Sequence, residues 1–144
     1  MDGSELSKKA LDSALDIAER FSSQIEILSV VESSALQMTG FPTLIPTAAY
    51  TTAIGNFSKE LIEHHKNLLS EALKEVKKSA SNLKISTKLM EGRPADIIVK
   101  EARDNNFDLI VMGSRGLSGI KRFFLGSVSD GVVNEAECQI LIVK

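Results

Sequence analysis

Five of the nine glycines in this 144-residue chain fall between positions 113 and 131, directly after the apolar run Leu-Ile-Val-Met. Glycine lets the backbone turn with positive φ, and it lets a ligand approach peptide N–H groups that a Cβ would shield. A strand that runs into such a loop, with a helix behind it, binds phosphate through backbone amides and the helix N-terminus. The pattern therefore predicts an α/β unit with an anion site at its glycine loop.

Basic side chains add to this prediction. Arg115, Lys121 and Arg122 lie within the loop and supply the positive charge that a nucleotide phosphate needs. The alternative is plain turn chemistry, because any strand-to-helix turn can require a glycine, and the spacing is neither that of the P-loop nor that of the dinucleotide-binding fingerprint. Because strand, glycines and basic residues coincide, phosphate binding is the favoured interpretation.

Composition limits the classes of function. The chain is 43% hydrophobic and 25% charged with a net charge of −2, as is ordinary for one globular domain spanning residues 1–144. The near balance of charge argues against a nucleic-acid partner. No run reaches the length of a membrane span and no leader-like segment opens the sequence, so we expect a cytoplasmic protein without membrane contact. The single cysteine, Cys138, excludes an internal disulfide and is expected to be a small buried hydrophobe.

Hydrophobic periodicity predicts an alternation of helices and strands. The predicted helices are one capped by Ser4, a long amphipathic helix after Ser58, one whose first turn holds Pro94, and one over about 126–136. The predicted strands cover residues 24–31, 84–90, 108–112 and 139–143. Strands that alternate with helices imply a parallel sheet with right-handed crossovers.

The segment from residue 33 to residue 58 carries no charged side chain. An uncharged connection of this length is unusual inside a compact domain, so we expect a lid, a short helix or a surface for a protein partner. A mobile loop with a few apolar side chains tucked in is the alternative.

The opening residues Met1-Asp2-Gly3-Ser4 have the composition of a strand-to-helix turn, yet no strand precedes them in the sequence. In a doubly wound sheet the first strand is often central, and its absence leaves backbone groups on both sides without partners. We therefore expect that about six to eight apolar residues, a typical strand length, precede Met1 in the natural protein. Otherwise another segment or chain fills their position.

The glycines form the motif Gly-x2-Gly-x9-Gly-Ser through Gly113, Gly116, Gly126 and Ser127. This motif resembles the signature of the universal stress protein family in its ATP-binding branch. The opening Asp-Gly-Ser-Glu, the stretch at 109–114 and the closing strand at 139–143 are also similar to that family. The resemblance therefore covers nearly the whole chain.

The resemblance implies an open, doubly wound α/β fold with a parallel sheet in the order 3-2-1-4-5, whose expected first strand is missing from this sequence. It also implies that adenine and ribose lie near Asp2 and Val30. The phosphates would lie along the glycine loop, where the matching residues are Met112, Gly113, Gly116, Gly126, Ser127 and Val128. Arg115, through its charge, and Ser129, through its hydroxyl, are further candidates. This location agrees with the rule that ligands of open α/β sheets bind outside the carboxyl ends of the strands.

The functional hypothesis is a nucleotide-dependent regulatory protein of the stress response. The expected cofactor is ATP, with ADP and AMP as alternatives. We expect Mg²⁺ to arrive with the phosphates, because the chain offers no dedicated carboxylate cage. No convincing catalytic set and no metal-ligand pattern is found, so any ATP hydrolysis would be slow. His65 lies on the apolar stripe of its helix and is expected to be a packed histidine, whereas most of the helix carboxylates are expected on solvated faces.

Two alternatives remain open. One is a phosphotransfer or adenylyl-transfer enzyme on a related scaffold, with Arg115 or Lys121 over the phosphates. The other is a scaffold protein that binds no nucleotide and uses its glycines for conformation alone. For assembly we expect a homodimer through the last strand, Gln139 to Val143, because a short apolar sheet edge tends to find a partner and the family resemblance points to the same strand.

Overall fold

The computed structural model describes residues 1–32, 47–79, 82–117 and 125–144, and within these ranges it does not describe the side chains of 47–55 and 79. The described elements alternate as predicted for an α/β protein. In chain order they are α1 Glu5–Phe21, β1 Ile25–Glu32, α2 Thr47–Ser79, β2 Ile85–Gly92, α3 Pro94–Asp104, β3 Leu109–Gly113, α4 Ser127–Glu135 and β4 Gln139–Val143.

The start of α2 is the main departure from the predicted elements. This helix begins at Thr47 and not after Ser58, so the second half of the uncharged segment is helical. The sequence-based boundary was wrong because it followed the amphipathic stripe, which begins only after Ser58. Helix formation needs no charge, and alanines at 48, 49 and 53 favour it. The rest of the expected lid or partner surface, residues 33–46, lies outside the described residues.

Local signals set the other helix boundaries as expected. Ser4 is the N-cap of α1, and its Oγ accepts a hydrogen bond from the backbone N–H of Ser7 at 3.2 Å. The helix ends at Phe21, and its C-cap, Ser22, has the left-handed φ of 53° that is common after a last helical turn. Pro94 opens α3, where its missing N–H would have had no helical partner.

The four strands form two separate parallel pairs. β1 pairs with β2 from Ile25 opposite Ile85 to Glu32 opposite Gly92. β3 pairs with β4 over residues 109–113 and 139–143. Within the described ranges no strand joins the two pairs. The pairs match the neighbours 3-2 and 4-5 of the order that the family resemblance implies.

Helices cover both faces of β1. Ile27 is buried against Leu69 and Ala72 of α2, whereas the adjacent Glu26 interacts with Glu101 of α3. Successive side chains of a strand point to opposite faces, so α2 and α3 lie on opposite sides. Helix α1 contacts β1 as well as β3 and β4. It therefore connects the two strand pairs.

The adjacent valines of α4 provide a test of this packing. Val132 is fully buried and Val133 is 43% exposed. Val132→Ala is expected to lower the free energy of unfolding by roughly 1–3 kcal/mol, because it removes buried methyl groups and leaves a cavity. Val133→Ala, on the same helix, is expected to change it by less than about 0.5 kcal/mol. Urea denaturation of both variants checks this, and equal effects would contradict the described orientation of α4.

Candidate functional site

The glycine loop is closed by hydrogen bonds to one backbone carbonyl. The carbonyl oxygen of Ser114 accepts from the N–H of Gly126 at 2.8 Å and from the hydroxyl of Ser129 at 2.8 Å. The N–H of Ser114 in turn donates to the carbonyl of Val143, also at 2.8 Å. The start of α4 is thereby fixed beside the carboxyl end of β3. Lys121 and Arg122 lie outside the described residues.

The backbone N–H groups in the first turn of α4, which have no helical hydrogen-bond partner, lie beside the glycine loop. Gly126 is its N-cap and has no side chain that could satisfy them. The first helical residues are Ser127, Val128 and Ser129, and their N–H groups precede the first helical hydrogen bond, which Asp130 donates to Gly126 at 2.9 Å. Such N–H groups, together with the helix dipole, favour an anion.

The loop glycines serve close packing and do not adopt positive φ. Among the described glycines, positive φ occurs at Gly3 and Gly92 and not at the three motif positions. A Cβ at Gly113 would lie 2.8 Å from the Cβ of Leu6 in the first turn of α1, and one at Gly126 would lie 3.3 Å from the Cα of Arg115. The expectation that these glycines permit unusual turns was therefore wrong. At Gly113 it is α1 that approaches closely, and at Gly116 it is the carboxylate of Asp2.

Asp2 links the start of α1 to the glycine loop. Its Oδ1 accepts hydrogen bonds from the N–H of Ser4 at 3.0 Å and from the hydroxyl of Ser4 at 2.7 Å. Its Oδ2 faces the Cα of Gly116, which leaves no room for a Cβ there. Burial acts to raise the pKa of Asp2, but these hydrogen bonds and one from Ser7 outweigh it and lower the pKa. The side chain is thus an ionised acceptor at neutral pH.

Val30 and Met112 lie near the carboxyl ends of β1 and β3. Both are half-buried, and both line the cavity that Asp2 and the loop also line. The carboxyl ends of β1 and β3 therefore border the same crevice. Val30 therefore offers an apolar surface across from the loop.

The structure brings all ten predicted site residues together in one cavity of about 500 Å³. They are Asp2, Val30, Met112, Gly113, Arg115, Gly116, Gly126, Ser127, Val128 and Ser129. The hydroxyl of Ser129 differs from expectation, because it is 2% exposed and its hydrogen bonds stay within the loop. It braces the loop and is not available to a ligand.

A buried polar network beside the crevice was missed by the sequence prediction. Ser29, fully buried in β1, donates its hydroxyl hydrogen to the carbonyl of Met1 at 2.6 Å and lies 2.8 Å from His65 Nδ1. Because the single hydroxyl hydrogen is used on Met1, Nδ1 of His65 is the donor to Ser29. Burial and then His64 lower the pKa of His65, so its ring is neutral at pH 7. This confirms the expectation of a packed histidine. The sequence signal for its partner was a serine, Ser29, inside an apolar strand.

A second cluster, at the other end of β1, holds a helix carboxylate that is an exception to the mostly solvated ones. Glu101 of α3 is 6% exposed and forms an ion pair with Lys88 of β2. Asn105 donates to Glu101 Oε1 at 2.7 Å. Burial, followed by the charge of Glu101, raises the pKa of Glu26. Glu26 and Glu101 both line the cavity.

Other features limit the chemistry of the described residues. They contain no group of three or more His, Cys, Asp and Glu side chains that could hold a metal ion. None of the helices in the described ranges is both long and apolar enough to cross a bilayer. Cys138 is free and only half-buried, not fully buried as expected, because the loop before β4 leaves it near the surface.

Parallel strand pairs, helices on both faces and a glycine loop at the carboxyl ends of the strands define an α/β protein with a ligand crevice of the open-sheet type. Known proteins share this arrangement. A model of the universal stress protein family matches residues 1–144. The universal stress protein MJ0531 of Methanocaldococcus jannaschii is 40% identical over 146 positions, which cover 99% of this chain and 78% of that protein. The chain belongs to the universal stress protein family.

Solved structures agree with this assignment. The structure of the hypothetical protein MJ0577 superposes with a TM-score of 0.81 at 25% identity, covering 100% of this chain and 91% of the other. A universal stress protein solved in complex with cAMP superposes with a TM-score of 0.63 at 28% identity, again covering 100% and 91%.

The packing role of Gly113 leads to a prediction about stability. The Cβ of Gly113→Ala would meet the Cβ of Leu6 at 2.8 Å and its backbone carbon and oxygen at 3.0 and 3.1 Å. Because backbone atoms cannot rotate away, we expect the free energy of unfolding to fall by about 1–3 kcal/mol.

Gly126→Ser is the matched control. Gly126 has a φ of −69° that any residue adopts, and serine is a preferred N-cap, so its cost is expected to stay below about 1 kcal/mol. Urea denaturation measures both. A Gly113→Ala protein as stable as the wild type would show that α1 and β3 are less closely packed than described.

Proposed function

We propose that this universal stress protein binds an adenine nucleotide, ATP in the first place, in the crevice between Asp2, Val30 and the glycine loop. The bound state acts as a regulatory signal in the cytoplasm, and hydrolysis is slow. The observation that carries the proposal is the convergence of the ten candidate residues on one cavity of about 500 Å³, with the free N–H groups of α4 at one side.

Each part of the crevice suits one part of a nucleotide. The N–H groups of Ser127 and Val128 and the guanidinium of Arg115 suit the phosphates, because they are donors and carry positive charge or potential. Oδ2 of the ionised Asp2 accepts no hydrogen bond from Ser4, so this oxygen suits the ribose hydroxyls, which would donate to it. Val30 offers the apolar contact that adenine needs. The solved relative in complex with cAMP supports an adenine nucleotide in this fold.

Magnesium is proposed to enter with the phosphates. The described residues provide no carboxylate cage, and Mg²⁺ usually keeps its waters and binds through one or two protein oxygens together with substrate phosphates. The hydroxyl of Ser127 is the protein oxygen placed for this role. In calorimetry, Mg²⁺ without nucleotide should therefore give no binding heat.

Proline at position 127 tests the backbone donor directly. Proline is favoured at the first position of a helix, and Gly126, with φ −69° and ψ 156°, already has the extended conformation that precedes a proline. Ser127→Pro thus removes one N–H and keeps the helix. A hydrogen bond to a charged group contributes about 1.5–3 kcal/mol, so ATP affinity is expected to fall by roughly 10- to 100-fold.

Ser127→Ala is the control that removes the hydroxyl and keeps the N–H. It should lose much less affinity in isothermal titration calorimetry with Mg·ATP, ADP, AMP and cAMP, and both variants should unfold like the wild type in urea. Wild-type affinity in Ser127→Pro would refute the phosphate site. A wild type that binds no nucleotide would favour a scaffold role, and rapid transfer to an acceptor would favour a phosphotransfer enzyme.

We also propose a homodimer through the outer edge of β4. This strand pairs with β3 along one edge, and within the described ranges no strand pairs with the other. Leu141 is 36% exposed, whereas Ile142 is half-buried, so Leu141 is the side chain that faces outward. A two-fold interface is self-complementary, and one substitution therefore acts twice.

Leu141→Lys is expected to convert the dimer to a monomer in light scattering, because it brings two ammonium groups into an apolar contact. Val133→Lys adds the same charge at a residue of α4 that is 43% exposed, and it should leave the mass unchanged. A wild-type protein that is monomeric at high concentration would exclude this assembly.

A further inference from the structure

Helix α2 contacts the turn that holds Asp2, although none of its described side chains lines the crevice. Gly3, in this turn, has a left-handed φ of 84°, and a Cβ there would lie 3.1 Å from Leu68 Cδ2 of α2. Three residues earlier on the same helix, His65 reaches the buried hydroxyl of Ser29 in β1. Side chains three apart share one helix face, so a single face of α2 meets both the Asp2 turn and the strand beside it.

His65 is connected to that turn by a chain of two hydrogen bonds. Its Nδ1–H donates to Ser29 Oγ at 2.8 Å, and the hydroxyl of Ser29 donates to the carbonyl of Met1 at 2.6 Å. This carbonyl belongs to the same peptide group as the nitrogen of Asp2. Because a peptide group is planar, the bond that orients the carbonyl also fixes the direction in which the backbone enters Asp2.

The hydroxyl of Ser29 depends on His65 for its orientation. Ser29 is fully buried, and a serine hydroxyl can rotate towards other backbone carbonyls near it. The Nδ1–H of His65 occupies one side of the oxygen and leaves the hydroxyl hydrogen directed at Met1. Burial and then His64 lower the pKa of His65, so the ring is neutral at pH 7 and keeps Nδ1 as its donor.

The carboxylate of Asp2 is held from its other side by Ser4. Oδ1 accepts from the N–H of Ser4 at 3.0 Å and from its hydroxyl at 2.7 Å. The backbone of Asp2 is fixed through the Met1 carbonyl and one of its carboxylate oxygens through Ser4, so the direction of Oδ2 follows from the two restraints together. Loss of the first restraint lets the carboxylate turn about the second.

We propose that His65 is a positioning residue for the nucleotide site, which directs Asp2 Oδ2 through Ser29 and the Met1 carbonyl and thereby sets the preference for ligands with ribose hydroxyls. His65 touches no ligand itself, because it does not line the crevice. This role rests on the proposed nucleotide binding, and specifically on the contact between Asp2 and ribose.

Isothermal titration calorimetry with Mg·ATP and with the magnesium complex of 2′,3′-dideoxy-ATP tests this role. The dideoxy analogue keeps the base and the phosphates but has no hydroxyl that could donate to Asp2. A hydrogen bond to a charged acceptor corresponds to about tenfold or more in affinity, which is the preference for ATP expected of the wild type. In His65→Leu the preference is expected to fall below about threefold, through weaker ATP binding with the affinity for the analogue unchanged.

Three further variants separate positioning from a general effect on packing. His65→Asn keeps an N–H donor close to the place of Nδ1 and is expected to retain the wild-type preference. Ser29→Ala removes the middle of the chain of hydrogen bonds, so it should lose the preference as His65→Leu does. Asn67→Leu places the same leucine at an exposed residue of α2 and should behave like the wild type. Urea denaturation of each variant reports its folding, and Ser29→Ala and His65→Asn carry the comparison if His65→Leu does not fold.

Nuclear magnetic resonance adds a measurement that needs no nucleotide. The nitrogen chemical shifts of the His65 ring are expected to show a proton on Nδ1 and none on Nε2 at neutral pH. A proton on Nε2 alone would overturn the proposed role, because His65 could not then donate to Ser29.

The calorimetric outcomes distinguish a failure of this role from a failure of the nucleotide site. If His65→Leu keeps the wild-type preference, or loses affinity for both ligands equally, the positioning role is overturned and the proposed function stands. If the wild type binds neither ligand, or both with equal affinity, the contact between Asp2 and ribose is overturned and the role of His65 with it.

Discussion

The carbonyl oxygen of Ser114 is the point on which the candidate site depends. It accepts from Gly126 and Ser129 at 2.8 Å each, while the N–H of the same residue bonds to the end of β4. These bonds close the glycine loop at its base. They hold the N-terminus of α4 against β3, beside the cavity that Asp2 and Val30 also line. The buried hydroxyl of Ser129 is therefore structural, and the donors proposed for phosphate are the backbone groups beside it.

The second constraint is the need of every strand edge for hydrogen-bond partners. Buried N–H and C=O groups without partners are costly, and one edge of β1 and one edge of β3 have no strand partner among the described residues. Asp2 lies one residue after Met1, which already bonds to β1. The hydrogen bond from the Met1 nitrogen to the carbonyl of Leu28 therefore helps to position Asp2 at the crevice.

Much of the fold followed from sequence periodicity. The bounds predicted for the strands and for α4 lie within two residues of those described, because buried strands and amphipathic helices have distinct repeats. The ten candidate site residues also lie in one cavity. The sequence allowed this to be predicted, because these residues lie at the ends of strands expected to be parallel or in the loops beside them. Contacts between distant segments were not predictable in this way. The burial of Glu101 depends on Lys88 from another strand, and the need for glycine at position 113 depends on Leu6 of α1.

The same contacts explain how a bound nucleotide could act as a signal without chemistry. Oδ1 of Asp2 accepts hydrogen bonds from Ser4, the N-cap of α1, and Oδ2 of Asp2 faces Gly116 of the loop. Helix α1 then contacts β1, β3 and β4, and its Leu6 packs against Gly113. The binding free energy of a ligand that contacts both Asp2 and the loop would therefore stabilise the contacts of α1 with both strand pairs. By mass action, such a ligand stabilises the arrangement in which those contacts are formed. That arrangement includes β4, the edge proposed for dimerisation, so nucleotide and partner would favour the same state of the protein.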